Sequence, residues 1–294
     1  MLSPKRSENS HGASKIILFY KFIDIKDPEK LKIEQKELCA SLNLKGRMLI
    51  AEEGINATFE GSGNDIENYK KKLWENPLFT DVVFKESKGT GNAFTKLKIL
   101  VRKEVVTLNA GKFDIKKETA EEMNVEDFDK LYETNEDFAV LDLRNDFEVD
   151  VGYFEKTVNP GLKNFRDLPE KLKELKHLKN KKIVAVCTGG IRCEKATCLL
   201  KKEGFTNIYQ LKDGIHTYMQ KYPGKRFKGS LYVFDNRLVT DVVDIPNKEI
   251  VGKCFYCGNK SEDFYSNDNV RPSLKLICCS ECAKVHSGEI RRCT

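Results

Sequence analysis

Nothing in this 294-residue sequence is long and apolar enough to cross a bilayer as a helix. Met1 to Lys15 is polar and has no apolar core of the kind a secretory signal needs. The expectation is a cytoplasmic protein with no membrane partner. Histidine is scarce, with only His11, His177, His216 and His286 present, and no two-His-one-carboxylate pattern of a non-haem iron site is visible. Each histidine reads as a surface or packing residue. There is no dinucleotide fingerprint, so no nucleotide cofactor is evident, and no haem motif or internal repeat. Nothing in the sequence sets the oligomeric state.

Hydrophobic residues make up 40% and charged residues 33%, an ordinary globular balance, and the length allows two domains with a small third module. The net charge of +6 permits a polyanionic partner without requiring one. Its placement says more. Lys163 to Lys182 carries eight Lys or Arg against three Asp or Glu, and Lys221, Lys225, Arg226 and Lys228 form a second basic group. These segments read either as solvated helix faces or as a phosphate-binding rim.

Ten cysteines in a reducing compartment point to reactive thiols or metal ligands rather than disulfides. Cys254, Cys257, Cys279 and Cys282 form two CxxC pairs about twenty residues apart, the spacing of a zinc ribbon in which each pair presents two thiolates to one tetrahedral ion. The alternatives are four reduced thiols in a loose tail or a redox dithiol. Cys39 and Cys198 fall in apolar helical patterns and read as core residues.

Along the chain, residues 1–13 read as disordered. Strand patterns follow at Ile16–Tyr20, Met48–Ala51, Ile55–Phe59, Asp81–Phe84 and Lys96–Val101, with helices over Asp27–Leu42 and Asn64–Trp74. The order β-α-β-β-α-β predicts a ferredoxin-like (acylphosphatase-like) α+β domain over 14–105. Ala110 to Ala120 reads as a linker. Short apolar strands at Phe138–Asp142, Ile183–Val186 and Asn207–Leu211 alternate with helical stretches at Asp167–Leu178 and Cys193–Glu203. That alternation predicts a parallel-sheet α/β domain over 120–225. A Cys-rich, zinc-ribbon-like module fills 226–294.

The sharpest motif is Cys187-Thr188-Gly189-Gly190-Ile191-Arg192-Cys193, between the buried strand and a helix. A cysteine there lies among loop N–H groups at the positive end of a helix dipole, which stabilises a thiolate. Gly189 and Gly190 let the backbone curl around the sulfur. Four residues separate Cys187 from Arg192, one fewer than in cysteine-dependent phosphatases. The tighter ring suits the outer sulfur of a persulfide better than a phosphate. Arg192 braces the loop, with Glu148 as a candidate partner. Cys193 reads equally as a resolving thiol or a buried helix-start residue.

Strand, Cys187, glycine loop, Arg192 and helix together resemble the rhodanese (sulfurtransferase) domain. Leu141-Asp142-Leu143-Arg144, with Glu148 and Gly152, resembles that family's first signature, and Leu211-Lys212-Asp213-Gly214-Ile215 resembles the turn near its end. Tyr153 stands where many members carry a histidine. The whole loop from Cys187 to Ala196, Glu53-Gly54-Ile55-Asn56-Ala57, Phe234-Asp235-Asn236-Arg237 and the paired CxxC are similar to the tRNA uridine(34) hydroxylase family over about Ile16 to Cys282. That resemblance implies an oxidoreductase converting the wobble uridine in the anticodon loop of tRNA to 5-hydroxyuridine. It also implies molecular oxygen as co-substrate and Cys187 as an active-site persulfide cysteine. A rhodanese-type sulfurtransferase serving a small thiol or a carrier protein is the alternative. A zinc-stabilised RNA-binding protein with an inert loop is the third reading.

Overall fold

The alternation of apolar and polar residues in the N-terminal third builds one antiparallel-rich sheet with helices on one face. The computed structural model describes residues 13–267, 269 and 274–293. The expected disorder of 1–13, Ala13 excepted, lies outside the described residues. The chain divides into two compact units, residues 1–102 and 103–294.

The first unit runs β1 (Ser14–Phe22), α1 (Pro28–Ser41), β2 (Lys45–Ala51), β3 (Gly54–Ser62), α2 (Gly63–Trp74), β4 (Lys85–Lys88) and β5 (Leu97–Val101). The Asp27 carboxylate caps α1 by accepting from the Lys30 N–H, and Pro28 opens the first turn. Leu31, Gln35 and Cys39 recur four residues apart and bury one face. Sheet order is β4-β1-β3-β2-β5, the ferredoxin-like arrangement with an added edge strand. The expected strand at Asp81–Phe84 is displaced: those residues form a loop, and the edge strand follows at Lys85–Lys88. Val82 and Phe84 are apolar because they pack on the core, Phe84 lying 4.8 Å from the Phe19 ring.

The second unit continues with α3 (Ile115–Glu118), β6 (Glu121–Met123), α4 (Val125–Leu131), β7 (Phe138–Asp142), α5 (Asp146–Val149), β8 (Gly152–Phe154), β9 (Thr157–Val158) and α6 (Leu168–Lys171). Then come β10 (Lys182–Val186), α7 (Ile191–Lys202), β11 (Ile208–Leu211) and α8 (Gly214–Lys221). The order β6-β11-β10-β7-β9 is parallel throughout, with β10 central. Ala139, Leu141, Ile183 and Ala185 face Ala196 and Leu200 of α7, while Val140, Val184 and Val186 face Phe128, Ile215 and Tyr218. Strands buried on both faces read as unbroken apolar runs, which is why β7 and β10 were legible.

The stretch Asp167–Leu178 is not one helix. It breaks into a one-turn α6 between short 3-10 turns, with Pro169 near the α6 start and no run long enough to propagate. The expected linker contains α3 and leads into β6. The C-terminal part adds β12 (Phe227–Gly229), β13 (Leu231–Tyr232), β14 (Val239–Thr240), β15 (Phe264–Asn267), β16 (Leu274–Ile277), α9 (Ser280–Val285) and β17 (Arg291–Arg292). It packs on the same unit through Val151, Tyr232, Phe264 and Ile277, with Phe147 beside them. No helix among the described residues is long and apolar enough to cross a membrane.

Candidate active site and cysteine cluster

Cys187 follows the last residue of β10 at the carboxyl end of the parallel sheet, where open α/β folds hold their ligands. The chain turns through Thr188, Gly189 and Gly190, and Ile191 begins α7. Gly190 has φ of 101°, a backbone state that suits glycine, and its N–H donates to Cys187 Sγ at 3.1 Å. The backbone N–H groups of Arg192 and Cys193 and the Cys193 thiol also hydrogen-bond to that sulfur. Burial pushes the Cys187 thiol up. The Cys193 thiol, the Arg192 charge and these N–H groups more than offset burial and bring it down to about 6. Cys193 moves the other way: burial and the neighbouring Cys187 sulfur hold its thiol well above the ordinary range, so it donates a hydrogen bond rather than ionising.

Arg192 is buried and turns away from the sulfur toward Glu148. Its Nη1 and Nη2 donate to Glu148 Oε1 and Oε2 at 2.6 and 2.9 Å, and Nη2 also reaches Thr188 Oγ1 at 3.2 Å. This is a fork-on-fork pair inside the protein. Burial raises the Glu148 carboxyl, but the Arg192 and Arg144 charges hold it below the usual range.

Glu148 is in turn fixed by a residue whose role the sequence reading did not assign. Arg144 is wholly buried and donates to Asp142 Oδ2 at 2.6 Å and to the carbonyl oxygens of Glu148 and Gly152 at 3.2 and 2.7 Å. One guanidinium thus ties the end of β7 to α5 and β8. Its trace in the sequence is Leu141-Asp142-Leu143-Arg144, a charged pair where the strand's apolar run stops and a segment resembling the first rhodanese signature, neither of which gives the arginine its role.

Gly214 is the other support. Its φ is +73°, and a Cβ there would lie 2.7 Å from the Cys187 carbonyl oxygen and 2.8 Å from both Gly190 N and the Thr188 carbonyl oxygen. Next to it, Ile215 and His216 donate their N–H groups to the Cys187 and Thr188 carbonyls, each at 3.0 Å. The start of α8 therefore clamps the loop from outside.

Of the basic segments, the second group is largely paired. Lys221 meets Glu126, Lys225 meets Asp129 and Glu133, and Arg226 and Lys228 meet Glu155. Lys163, Arg166, Lys173 and Lys176 stand exposed. Cys39 and Cys198 are buried, and burial pushes both thiols up to about 12, the expected behaviour of inert core cysteines.

The Cys254, Cys257, Cys279 and Cys282 sulfurs all lie within 4.8 Å of one another. Among the described residues they form the one such group able to share an ion. Cys257 Sγ and Cys279 Sγ are 3.7 Å apart, against about 3.8 Å for two sulfurs around a tetrahedral zinc with Zn–S of about 2.3 Å. Gly258, with φ of +75°, closes the first knuckle through its N–H to the Cys254 carbonyl at 2.9 Å. The Cys282 N–H points at Cys279 Sγ from 3.5 Å. An all-thiolate tetrahedral set fits zinc. Cys278, adjacent in sequence, is buried beside the cluster and lies outside it.

Comparison with known proteins adds three domain matches. Residues 14–105 match the UPF0176 acylphosphatase like domain, 124–221 the Rhodanese-like domain, and 228–294 the Rhodanase C-terminal domain. A protein of Aster yellows witches'-broom phytoplasma named tRNA uridine(34) hydroxylase is 38% identical, over 92% of this chain and 89% of its own. A protein of the same name from Staphylococcus carnosus is 36% identical over 92% and 90%. Another, from Cytophaga hutchinsonii, is 37% identical over 93% and 87%.

Proposed function

The chain belongs to the tRNA uridine(34) hydroxylase family, and from that membership we propose that Cys187 is the reacting centre of an oxygen-dependent conversion of the wobble uridine to 5-hydroxyuridine. It is an oxidoreductase that modifies tRNA. The net change at the base is C–H to C–OH. Dioxygen supplies the atom, and a reductant carries its other atom to water.

The observation that carries the assignment of Cys187 is the convergence of three backbone N–H groups, one thiol and one guanidinium charge on a single sulfur. In this reading Cys187 carries the reacting sulfur as a persulfide, held by those donors. The outer sulfur then sits ~2 Å further out, still negatively charged and facing the same donors. Arg192 acts on the loop, not on the base, because Glu148 occupies its guanidinium edge. The four-cysteine cluster is the site for a structural zinc ion, which folds the tail against the rhodanese part. The anticodon loop is the bound region of tRNA, since unstacked single-stranded bases are open to side chains. The exposed Lys163, Arg166, Lys173 and Lys176 supply phosphate contacts. The enzyme works in the cytoplasm, its domains following in chain order as 14–105, the rhodanese domain at 120–225 and 226–294.

The test is mass spectrometry of tRNA nucleosides from an aerated deletion strain complemented with wild type or Cys187→Ser. Wild type restores 5-hydroxyuridine and its derivatives, and Cys187→Ser does not. Restoration by Cys187→Ser removes the cysteine from the reaction. If neither protein changes the nucleosides but thiosulfate is turned over, the chain is a sulfurtransferase instead.

A further inference from the structure

Beside Glu148 the second unit carries an aromatic group of which one ring, Phe234, stands outside the packing core. Phe234 follows β13 at the tip of a hairpin and is 58% exposed. Its ring meets Tyr232 at 5.2 Å and Phe147 at 6.4 Å, both edge-on. Phe147 is the residue before Glu148, so this cluster adjoins the carboxylate that braces the Cys187 loop. The tip is stiff. Val233 N–H donates to the Leu238 carbonyl at 2.8 Å, Leu238 N–H to the Asp235 carbonyl at 3.0 Å, and Asp235 holds Arg237 through Nε and Nη2 at 2.8 and 2.7 Å. Lys275 of β16 reaches the same group. Its Nζ donates to Tyr232 Oη at 2.6 Å and lies 4.8, 5.1 and 5.9 Å from the Phe147, Tyr232 and Phe234 rings.

We propose that Phe234 is a stacking platform for a base of the substrate's single-stranded loop, held rigid by Tyr232 and Phe147 and made anion-attracting by Lys275. A ring supported edge-on keeps a face for a flat ligand and has little rotamer freedom left to lose on binding. Stacking tolerates any base, because every base has a π-face, and a nearby cation draws the phosphates that flank it. Burial lowers the Lys275 ionisation, but the ammonium set against the rings still favours a polyanion over a neutral peptide segment. The assignment rests on the reading of the chain as a tRNA hydroxylase and adds a positioning residue to it.

The experiment uses the full chain and unmodified tRNA, comparing wild type, Phe234→Ala and Phe234→Trp. It measures 5-hydroxyuridine formation against tRNA concentration, tRNA affinity by filter binding, and the pH profile of Cys187 ionisation. Phe234→Ala raises KM and weakens tRNA binding roughly 5- to 150-fold, the loss on removing one base-stacking aromatic. Phe234→Trp stays within about threefold of wild type, because indole stacks as well. The Cys187 profile is the same in all three. Wild-type KM and affinity in Phe234→Ala overturn the proposal. So does equal loss in both variants, or a shifted Cys187 profile in Phe234→Ala, since either marks a structural role. If wild type forms no 5-hydroxyuridine, the hydroxylase reading fails by itself, and filter binding still decides whether Phe234 stacks on RNA.

Discussion

Replacing Arg192 with methionine separates the charge that lowers the Cys187 thiol from the backbone dipoles that share the task. With its ionisation brought from 9.0 to about 6, Cys187 is about nine-tenths thiolate at pH 7. A lowering of about three pH units corresponds to about 4 kcal/mol of preference for the thiolate in the fold. Burial opposes it, so the favourable groups together supply more than that. Because the folded value is the lower one, this stability is complete above about pH 9 and is lost as pH falls through 6, at about 1.4 kcal/mol per pH unit between. One adjacent opposite charge moves an ionisation by about one to three pH units, so Arg192→Met carries the Cys187 midpoint to about 7–9. The thiolate share at pH 7 then falls to half or less. The assay is thiolate absorbance at 240 nm from pH 5 to 9, taken as the difference between each protein and its Cys187→Ser counterpart. Arg192→Met also strands the Glu148 carboxylate, fully buried, at a cost of about 3–5 kcal/mol. Adding Glu148→Gln removes that charge, so the double variant regains most of the thermal midpoint while its Cys187 midpoint stays high. A Cys187 midpoint within about 0.3 pH units of wild type in Arg192→Met refutes the charge argument and leaves the Cys193 thiol and the N–H groups as the causes.

Three further outcomes follow from the same geometry. Cys193→Ala removes the thiol that donates to Cys187 and raises the Cys187 midpoint in the same difference titration; an unchanged midpoint means the thiol contributes nothing. Gly214→Ala forces a Cβ to within 2.7 Å of the Cys187 carbonyl oxygen at a φ of +73°. The strain of about 1–3 kcal/mol lowers the thermal midpoint by roughly 2–10 °C, and an unaltered midpoint shows that the α8 clamp yields freely. Cys257→Ser or Cys282→Ser loses the zinc ion in elemental analysis while Cys278→Ser keeps it, and acidification releases the metal from wild type as the thiolates protonate. Equal zinc content in all three variants removes the four-cysteine assignment.

What the sequence reveals about this site depends on how local each interaction is. The Cys187 loop is legible because strand, cysteine, glycines, arginine and helix follow one another within a few residues, and the hydrogen bonds at the sulfur span the same stretch. The four cysteines are legible for a similar reason, since each knuckle is a short loop and the spacing alone brings two sulfurs together. The roles of Arg144 and Gly214 are not, although both fall in segments that resemble rhodanese signatures. What Arg144 does depends on three chain segments that meet only in the fold, and Gly214 must be glycine because three backbone atoms of a distant loop crowd it. The Lys275 cage is further out of reach, since it joins α5, β13 and β16. In the first unit, Val82-Val83-Phe84 looked more like a strand than Lys85-Glu86-Ser87-Lys88 does. An edge strand needs only backbone pairing along one side, and its polar side chains carry no apolar period.

The pairing of Arg192 with Glu148 also decides which anion the loop accepts. A phosphatase loop offers a dianion both converging N–H groups and a free guanidinium. Here both terminal nitrogens of Arg192 are engaged by Glu148, so its charge reaches the Cys187 sulfur through space but no guanidinium edge is left free to bind a dianion. What directly contacts an anion at the loop is a set of N–H dipoles and one thiol, with the Arg192 charge behind them, enough for a single negative charge on a small sulfur centre and too little for a doubly charged oxyanion. The expectation is that millimolar phosphate or tungstate leaves Cys187 ionisation and 5-hydroxyuridine formation unchanged, whereas treatment with a persulfide donor adds one sulfur to Cys187 in intact-mass analysis. Protection of Cys187 by either oxyanion would show that the Arg192–Glu148 pair opens to admit a dianion, and the argument from the occupied guanidinium edge would fall.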